Sequence, residues 1–285
     1  MRRSRRFAWP LLAAVLPFLF MAACFEIVPL ISMLFSSFRA EAGSSLTLEH
    51  YLTSLSNPFY TKAIRNSVLI ALYSSVIGLA VGMIAANTIT RLPETVRDRI
   101  LMISNMTSNF AGVPLAFAFI ILLGNNGLFT LLFDDIGLPV LGEFELYSWT
   151  GLVLVYVYFQ IPLAILLMYP TYYGIKEQWR EASGLLGAGT VQFWRYIGLP
   201  LLLPGMLGTF SILFANAMGA YATAYALVGG NYNLLAIRIG SLTAGDVYVR
   251  PELGSALAVL LAAAMLLAMW INERMMLKVR RDLAG

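Results

Sequence analysis

Side chains able to do covalent or metal chemistry are scarce in this sequence. It holds one cysteine, Cys24, and one histidine, His50. A disulfide needs two thiols and a zinc site needs several convergent ligands, so neither can be assembled within the chain. A Cys–His nucleophilic pair fails on context, because Cys24 lies in an apolar run and His50 in a polar loop. No catalytic residue and no metal ligand set is expected. Nor is there a G-x-x-x-x-G-K-[ST] phosphate loop, so the chain is expected to bind no ATP and no cofactor of its own.

What remains is polar chemistry set inside apolar stretches. A polar group there is costly to expose to lipid, so it either hydrogen-bonds between helices or lines an aqueous route. Gln160 with Tyr156, Asn216 with Tyr221 and Tyr225, and Asn105 with Asn109 are the candidates. Gln160 and Asn216 are the first choices for a route because they lie deepest in their runs. Glu26 is an acid within the first apolar run. It either reaches the outer interface or faces the bundle, where it would attract a cationic solute. Gly208, Gly219 and neighbouring alanines read as sites of close helix packing.

The elements that hold these groups follow from composition. The chain of 285 residues is 59% hydrophobic and 12% charged, against roughly 25% charged in soluble domains. It is therefore a membrane protein. A bilayer core about 30 Å thick takes about 20 apolar residues in a helix. Six stretches qualify, approximately 8–35, 64–90, 101–123, 149–172, 199–228 and 254–272. The expected class is an all-α polytopic membrane protein. Pro10, Pro17 and Pro29 are expected to kink the long first helix, and "GNNG" at 124–127 to end the third span before a short apolar return at 128–133. "MAAC" at 21–24 imitates a lipoprotein cleavage box, but the apolar run continues to Phe35 and favours an uncleaved helix.

Basic residues give the orientation. With the N-terminus cytoplasmic, that side collects Arg2, Arg3, Arg5, Arg6, Arg91, Arg97, Arg99, Lys176, Arg180, Arg195, Arg274, Lys278, Arg280 and Arg281. Six spans return the C-terminus to the same side. The outer loop 124–148 carries Asp134, Asp135, Glu143 and Glu145 with no Lys or Arg. The net charge of +4 is small and spread over loops, which argues against nucleic-acid binding.

One cytoplasmic segment stands apart, "EASGLLGAGTVQFWRYIGLP" at 181–200. Over 174–186, Ile175, Trp179, Ala182 and Leu185 or Leu186 recur at helical spacing, with Lys176, Glu177, Arg180 and Glu181 on the other side. Gly187–Gly189 should interrupt the helix, and Leu199–Pro200 should stop the amphipathic piece that follows. The pattern is a helix–turn–helix with an apolar face free to dock, or else a helix lying on lipid headgroups.

Glu181, Ala182, Ser183, Gly187, Ile197, Leu199 and Pro200 fall at the spacing E-A-S-(three)-G-(nine)-I-x-L-P. This resembles the EAA loop of permease subunits of binding-protein-dependent type I ABC importers, with Ser183 in place of the usual Ala. "YFQIPLAILLMYPTYYGIKEQW", "LPLLLPGMLGTF", "NFAGVPLAFAFIILLGNNGLF" and "LVGGNYNLLAIRIG" are similar to the same family, over roughly residues 60–270. Within it the chain looks most like polyamine, thiamine, ferric-iron and 2-aminoethylphosphonate permeases. The resemblance implies a first helix and outer loop over 1–60, a five-helix core over 61–275 with a coupling loop at 174–200, and a basic tail at 276–285. It implies a multi-pass protein of the bacterial inner membrane that is not an enzyme. Its partners would be two ATP-binding subunits carrying ATP and Mg, a second permease chain (related or identical) and an extracytoplasmic solute-binding protein. The loop would dock into an ATPase cleft. The acidic outer loop and Glu26 favour a polyamine as solute. An ion-coupled secondary transporter is the alternative class, disfavoured because Glu26 is the only clear acid in a span.

Overall fold

The computed structural model describes residues 9–40, 45–137, 144–244 and 249–284. Arg2, Arg3, Arg5, Arg6 and Glu143 lie outside these described residues, and Lys278, Arg280 and Arg281 are described by their backbone alone. Among the described residues there is no strand, only an isolated bridge between Arg39 and Leu46. The helices are α1 Trp9–Ala22, α2 Val28–Ser36, α3 Glu49–Ser56, α4 Pro58–Ile89, α5 Glu94–Asn109, α6 Val113–Leu123, α7 Leu128–Asp135, α8 Trp149–Tyr173, α9 Glu177–Leu185, α10 Thr190–Phe193, α11 Leu199–Met218, α12 Tyr221–Val228, α13 Leu235–Ala244 and α14 Pro251–Ala284.

Among the described residues, six helical segments are long and apolar enough to cross a membrane: Val15–Ser36, Pro58–Ile89, Val113–Asp135, Trp149–Tyr173, Thr190–Met218 and Pro251–Leu277. The number matches the sequence expectation, but the third and fifth spans are placed differently. The third span does not run over 101–123. Gly112 takes φ +79 and Pro114 follows in the first turn of α6, so the helix is broken at 110–112. Gly112 tolerates that backbone because it lacks a Cβ, and the break leaves Asn105 and Asn109 on the separate helix α5. The apolar return does form, as α7. The fifth span likewise ends at Met218, and Gly219–Ala220 separates it from α12.

The chain divides into two compact units, Met1–Pro58 with Ile239–Leu260, and Phe59–Arg238 with Leu261–Gly285. In the first, His50 is buried and its Nε2 lies 2.9 Å from the Arg39 carbonyl, so the lone histidine has a structural partner. The second unit is organised around α8. This is the most enclosed span, with 61% of its apolar window buried. Leu152, Val155 and Phe159 of α8 pack with Ile70 and Ala71 of α4, Leu115 and Ala116 of α6, Phe214 of α11 and Leu227 of α12. A smaller cluster joins Ala86, Met168, Tyr172 and Leu202.

Close approach of α4 to α8 rests on two glycines one turn apart. A Cβ on Gly78 would sit 2.7 Å from Gln160 Cβ, and one on Gly82 only 2.4 Å from Ala164 Cβ. Small residues at i and i+4 let helix backbones touch where lipid supplies no hydrophobic drive. Gly208 and Gly219 are, with neighbouring alanines, the expected sites of such packing, yet nothing lies within 4 Å of a Cβ built on Gly208, and one on Gly219 meets only the Ala215 and Asn216 carbonyls of the preceding turn.

Candidate functional site

The segment 174–200 begins where α8 ends. Gly174 and Ile175 close the helix through bonds to the Pro170 and Tyr172 carbonyls. Lys176 is extended (ψ 134°), so α9 starts at Glu177 rather than at 174. Ile175 consequently packs on the Ala86–Met168–Tyr172–Leu202 cluster instead of on the α9 face.

The end of α9 explains Gly187. The Gly187 amide donates to the Gly184 carbonyl (3.0 Å) and the Ala188 amide to the Ser183 carbonyl (3.0 Å). This 5→2 and 6→1 pair is a Schellman closure, which needs a left-handed residue at its centre. Gly187 supplies it with φ +81, and nothing lies within 4 Å of a Cβ there. The constraint is backbone conformation, not space. Ser183 is buried and its Oγ donates to the Arg180 carbonyl at 2.8 Å.

After the turn, Gly189 begins α10, its amide donating to Gln192 Oε1 at 2.9 Å. The expected stop at Leu199–Pro200 does not occur. Residues Trp194–Gly198 form a π turn in which the Leu199 amide reaches the Trp194 carbonyl, and the chain runs on into α11. Pro200 has no amide hydrogen and its ring would crowd the carbonyl four residues back. Widening the preceding turn accommodates it. The first span uses the same device, a π turn at Ala23–Ile27 just before Val28 and Pro29. Gly198 is a residue that sequence reasoning missed, for a Cβ on it would lie 2.4 Å from the Trp194 ring. Its signal was the W-x-x-x-G spacing.

Anchoring is asymmetric. Phe193 is buried, and the Trp194 ring meets Tyr172 edge-on at 6.2 Å, which ties the loop to the end of α8. Around the turn the apolar residues are bare, with Leu185 90% and Leu186 89% exposed. Trp179, Ala182, Ser183, Leu186, Tyr196, Ile197 and Leu201 line an open groove of about 500 Å³. Glu181 is exposed and forms no ion pair with a described residue. The loop therefore presents a held apolar knob beside an exposed carboxylate. Exposed apolar patches of this kind mark contact surfaces.

The polar residues of the spans divide into two sets. Gln160 has no exposed surface. Its Nε2 donates to Ser75 Oγ (3.1 Å) and the Leu213 carbonyl (2.8 Å), linking α8 to α4 and α11, while Oε1 has no hydrogen-bond partner among the described residues. Tyr156 is buried and its hydroxyl donates to the Ala220 carbonyl at the α11–α12 break (3.2 Å). Asn216 and Asn109 are exposed, as are Tyr221 and Tyr225, whose rings stack 5.4 Å apart. Asn109 Nδ2 donates to the Asn105 carbonyl at 2.8 Å. Glu26 is exposed within the first π turn. Sequence reasoning also missed Asn272, whose Nδ2 donates to the Leu207 carbonyl and Ser211 Oγ. It likewise missed the ties made by Asn233 and Arg238. Arg238 Nε donates to Asn233 Oδ1 (2.7 Å), and Asn233 Nδ2 to the Phe59 carbonyl (2.7 Å).

Comparison with known proteins finds a matching family model, several relatives and a similar fold. A family model described as "Binding-protein-dependent transport system inner membrane component" matches residues 78–281. The spermidine/putrescine transport system permease protein PotB of Haemophilus influenzae is 25% identical over 257 residues, covering 88% of each chain. A probable sulfate transport system permease protein cysT of Helicosporidium is 26% identical over 212 residues, 73% of each. In fold, the chain is similar to a crystal structure of a bacterial ABC transporter involved in alginate import, with TM-score 0.73 and 17% identity over 95% of this chain and 96% of that one.

Proposed function

The chain belongs to the family of binding-protein-dependent transport system inner membrane components, and from that premise we propose a mechanism for its 174–200 loop. It is a multi-pass permease subunit of an ABC importer, and not an enzyme; ATP is hydrolysed in partner subunits. We infer that Glu181, Ala182, Ser183, Gly187, Ile197, Leu199 and Pro200 build the coupling element that seats in an ATPase cleft on the cytoplasmic side. The observation that carries this reading is the bare Leu185–Leu186 knob, held by the Gly187 closure at one end and by Phe193 and Trp194 at the other. An apolar tip on a fixed base can transmit a displacement that a floppy loop would absorb. Closure of two ATPase subunits moves their clefts, and α11, continuous with the loop, carries the motion into the bundle.

One such loop serves one ATPase subunit, so a working importer takes two ATPase chains and a second permease chain, in a bacterial inner membrane, fed by an extracytoplasmic binding protein. The solute proposed is a polyamine. PotB's similarity along most of both chains supports this, as do the exposed Asp134, Asp135 and Glu145. Asn216, Tyr221 and Asn109 are proposed to line the route, with Gln160 and Tyr156 holding its wall. If Glu26→Gln leaves uptake and solute-stimulated ATPase unchanged, Glu26 has no part in it.

Copurification tests the coupling role. Glu181→Lys and Gly187→Trp are expected to release the ATPase subunit from the solubilised permease. Retained subunit together with normal coupled uptake in both variants would refute the assignment. A thermal-shift screen of the partner binding protein tests the solute, the expectation being stabilisation by spermidine or putrescine and none by sulfate or thiamine.

A further inference from the structure

A second cavity, of about 390 Å³, opens beside the loop and is lined by residues from the ends of α4, α8 and α9, among them Asn87, Arg91, Tyr172, Lys176, Arg180 and Trp194. Three cations, Arg91, Lys176 and Arg180, line it together with a single acid, Glu177. None of the three forms an ion pair with a described residue; the ion pairs seen are those of Arg97 with Glu94 and Asp98. With Glu177 counted, two positive charges are left over, and they repel each other unless a further anion shares the cavity. The cavity's height in the fold says which anion. Its walls include the last turn of α4, which ends at Ile89, and the last turn of α8, which ends at Tyr173. Both are ends of membrane-spanning helices. Tyr172, Tyr173 and Trp194 in the wall are the residue types that sit at headgroup depth.

We propose that this cavity binds the phosphodiester headgroup of an anionic phospholipid. Basic pockets between helix ends at the membrane surface suit such headgroups, the phosphate meeting the cations and the acyl chains remaining in the bilayer. Arg91 follows α4 whereas Lys176 and Arg180 belong to the start of the coupling loop. One bound phosphate therefore cross-links the loop's base to the bundle. The face used is not the docking face, since Glu177 and Arg180 line this cavity and Trp179, Ala182 and Leu186 line the apolar groove. Placing the lipid in the inner leaflet rests on the cytoplasmic orientation proposed above; the site itself does not.

The test is native mass spectrometry of the full-length permease purified with its ATPase subunits, in an equimolar mixture of phosphatidylglycerol and phosphatidylcholine. The wild type is expected to retain phosphatidylglycerol at least about threefold over phosphatidylcholine. Arg91→Gln with Lys176→Gln should remove that preference, and Lys62→Gln with Arg65→Gln, equal in charge change, should keep it. Should the double variant not fold, Arg180→Gln alone is expected to lower the preference. No preference in the wild type, or an undiminished one in the cavity variants, overturns the proposal. Displacement of the lipid by millimolar inorganic phosphate would make free phosphate the occupant and overturn the lipid. The permease freed of its ATPase subunits is measured in parallel; a preference present there but absent from the assembly would give the cavity to the ATPase subunit and overturn the proposal as well. Subunit retention is scored separately on the same samples, so the coupling reading and the lipid reading fail independently.

Discussion

Gly187 and Glu181 are both plain to see in the sequence, but they act for different reasons. Gly187 matters through its φ of +81 and the two amide bonds it closes. An L-residue in that region costs about 1–2 kcal/mol. Gly187→Ala is therefore expected to loosen the turn by about that amount while leaving the bundle folded. Coupled uptake should fall several-fold, with the thermal midpoint of the solubilised protein shifting little. Full uptake in Gly187→Ala would show that the turn geometry is not needed. Glu181 has no structural partner among the described residues, so Glu181→Gln should leave the thermal midpoint unchanged and alter only subunit association. The residue types of the loop were legible because charge and small residues stand out in an apolar chain. The enclosure of Gln160 and exposure of Asn216 were not. Both lie in helices with no single apolar face, and depth along a helix says nothing of rotation about it.

At the scale of elements, hydropathy and length anticipated six apolar spans, the number found among the described residues, because lipid demands a continuous apolar run; the third and fifth are displaced along the chain from where they were expected. Composition did not register how backbone is interrupted within such a run. "FAGVP" is apolar at every position, yet Gly112 and Pro114 break the helix there. "GLP" looks like a stop, yet a π turn carries the helix past Pro200. The α4–α8 contact yields the prediction of this scale. Gly78 and Gly82 each leave less room than a methyl group needs, and over-packing costs about 1–3 kcal/mol. Gly82→Leu is expected to push the helices apart and lower the yield and thermal midpoint of folded protein. Gly208→Ala, where nothing approaches within 4 Å, should be neutral. Equal behaviour of the two variants would contradict the packing described.

For the whole molecule, orientation and partnership decide function. Cys24 is the only cysteine, so Cys24→Ser gives a background in which one new thiol reports its own side of the membrane. Ala188→Cys in that background should react with an impermeant maleimide in inverted vesicles and not in intact cells; the reverse would turn the topology over. The sequence carried this inference through its distribution of Arg and Lys, and it carried the family through seven spaced residues. Identity alone does not separate the solutes, at 25% to the spermidine/putrescine relative and 26% to a sulfate one; only the longer coverage of the former, 88% against 73%, favours the polyamine. The most direct measurement places a photo-crosslinking amino acid at Leu186, the tip of the knob, in membranes holding the assembled importer. The account predicts a covalent adduct with the ATPase subunit whose yield changes when ATP is bound. Adducts with phospholipid alone, indifferent to nucleotide, would contradict it.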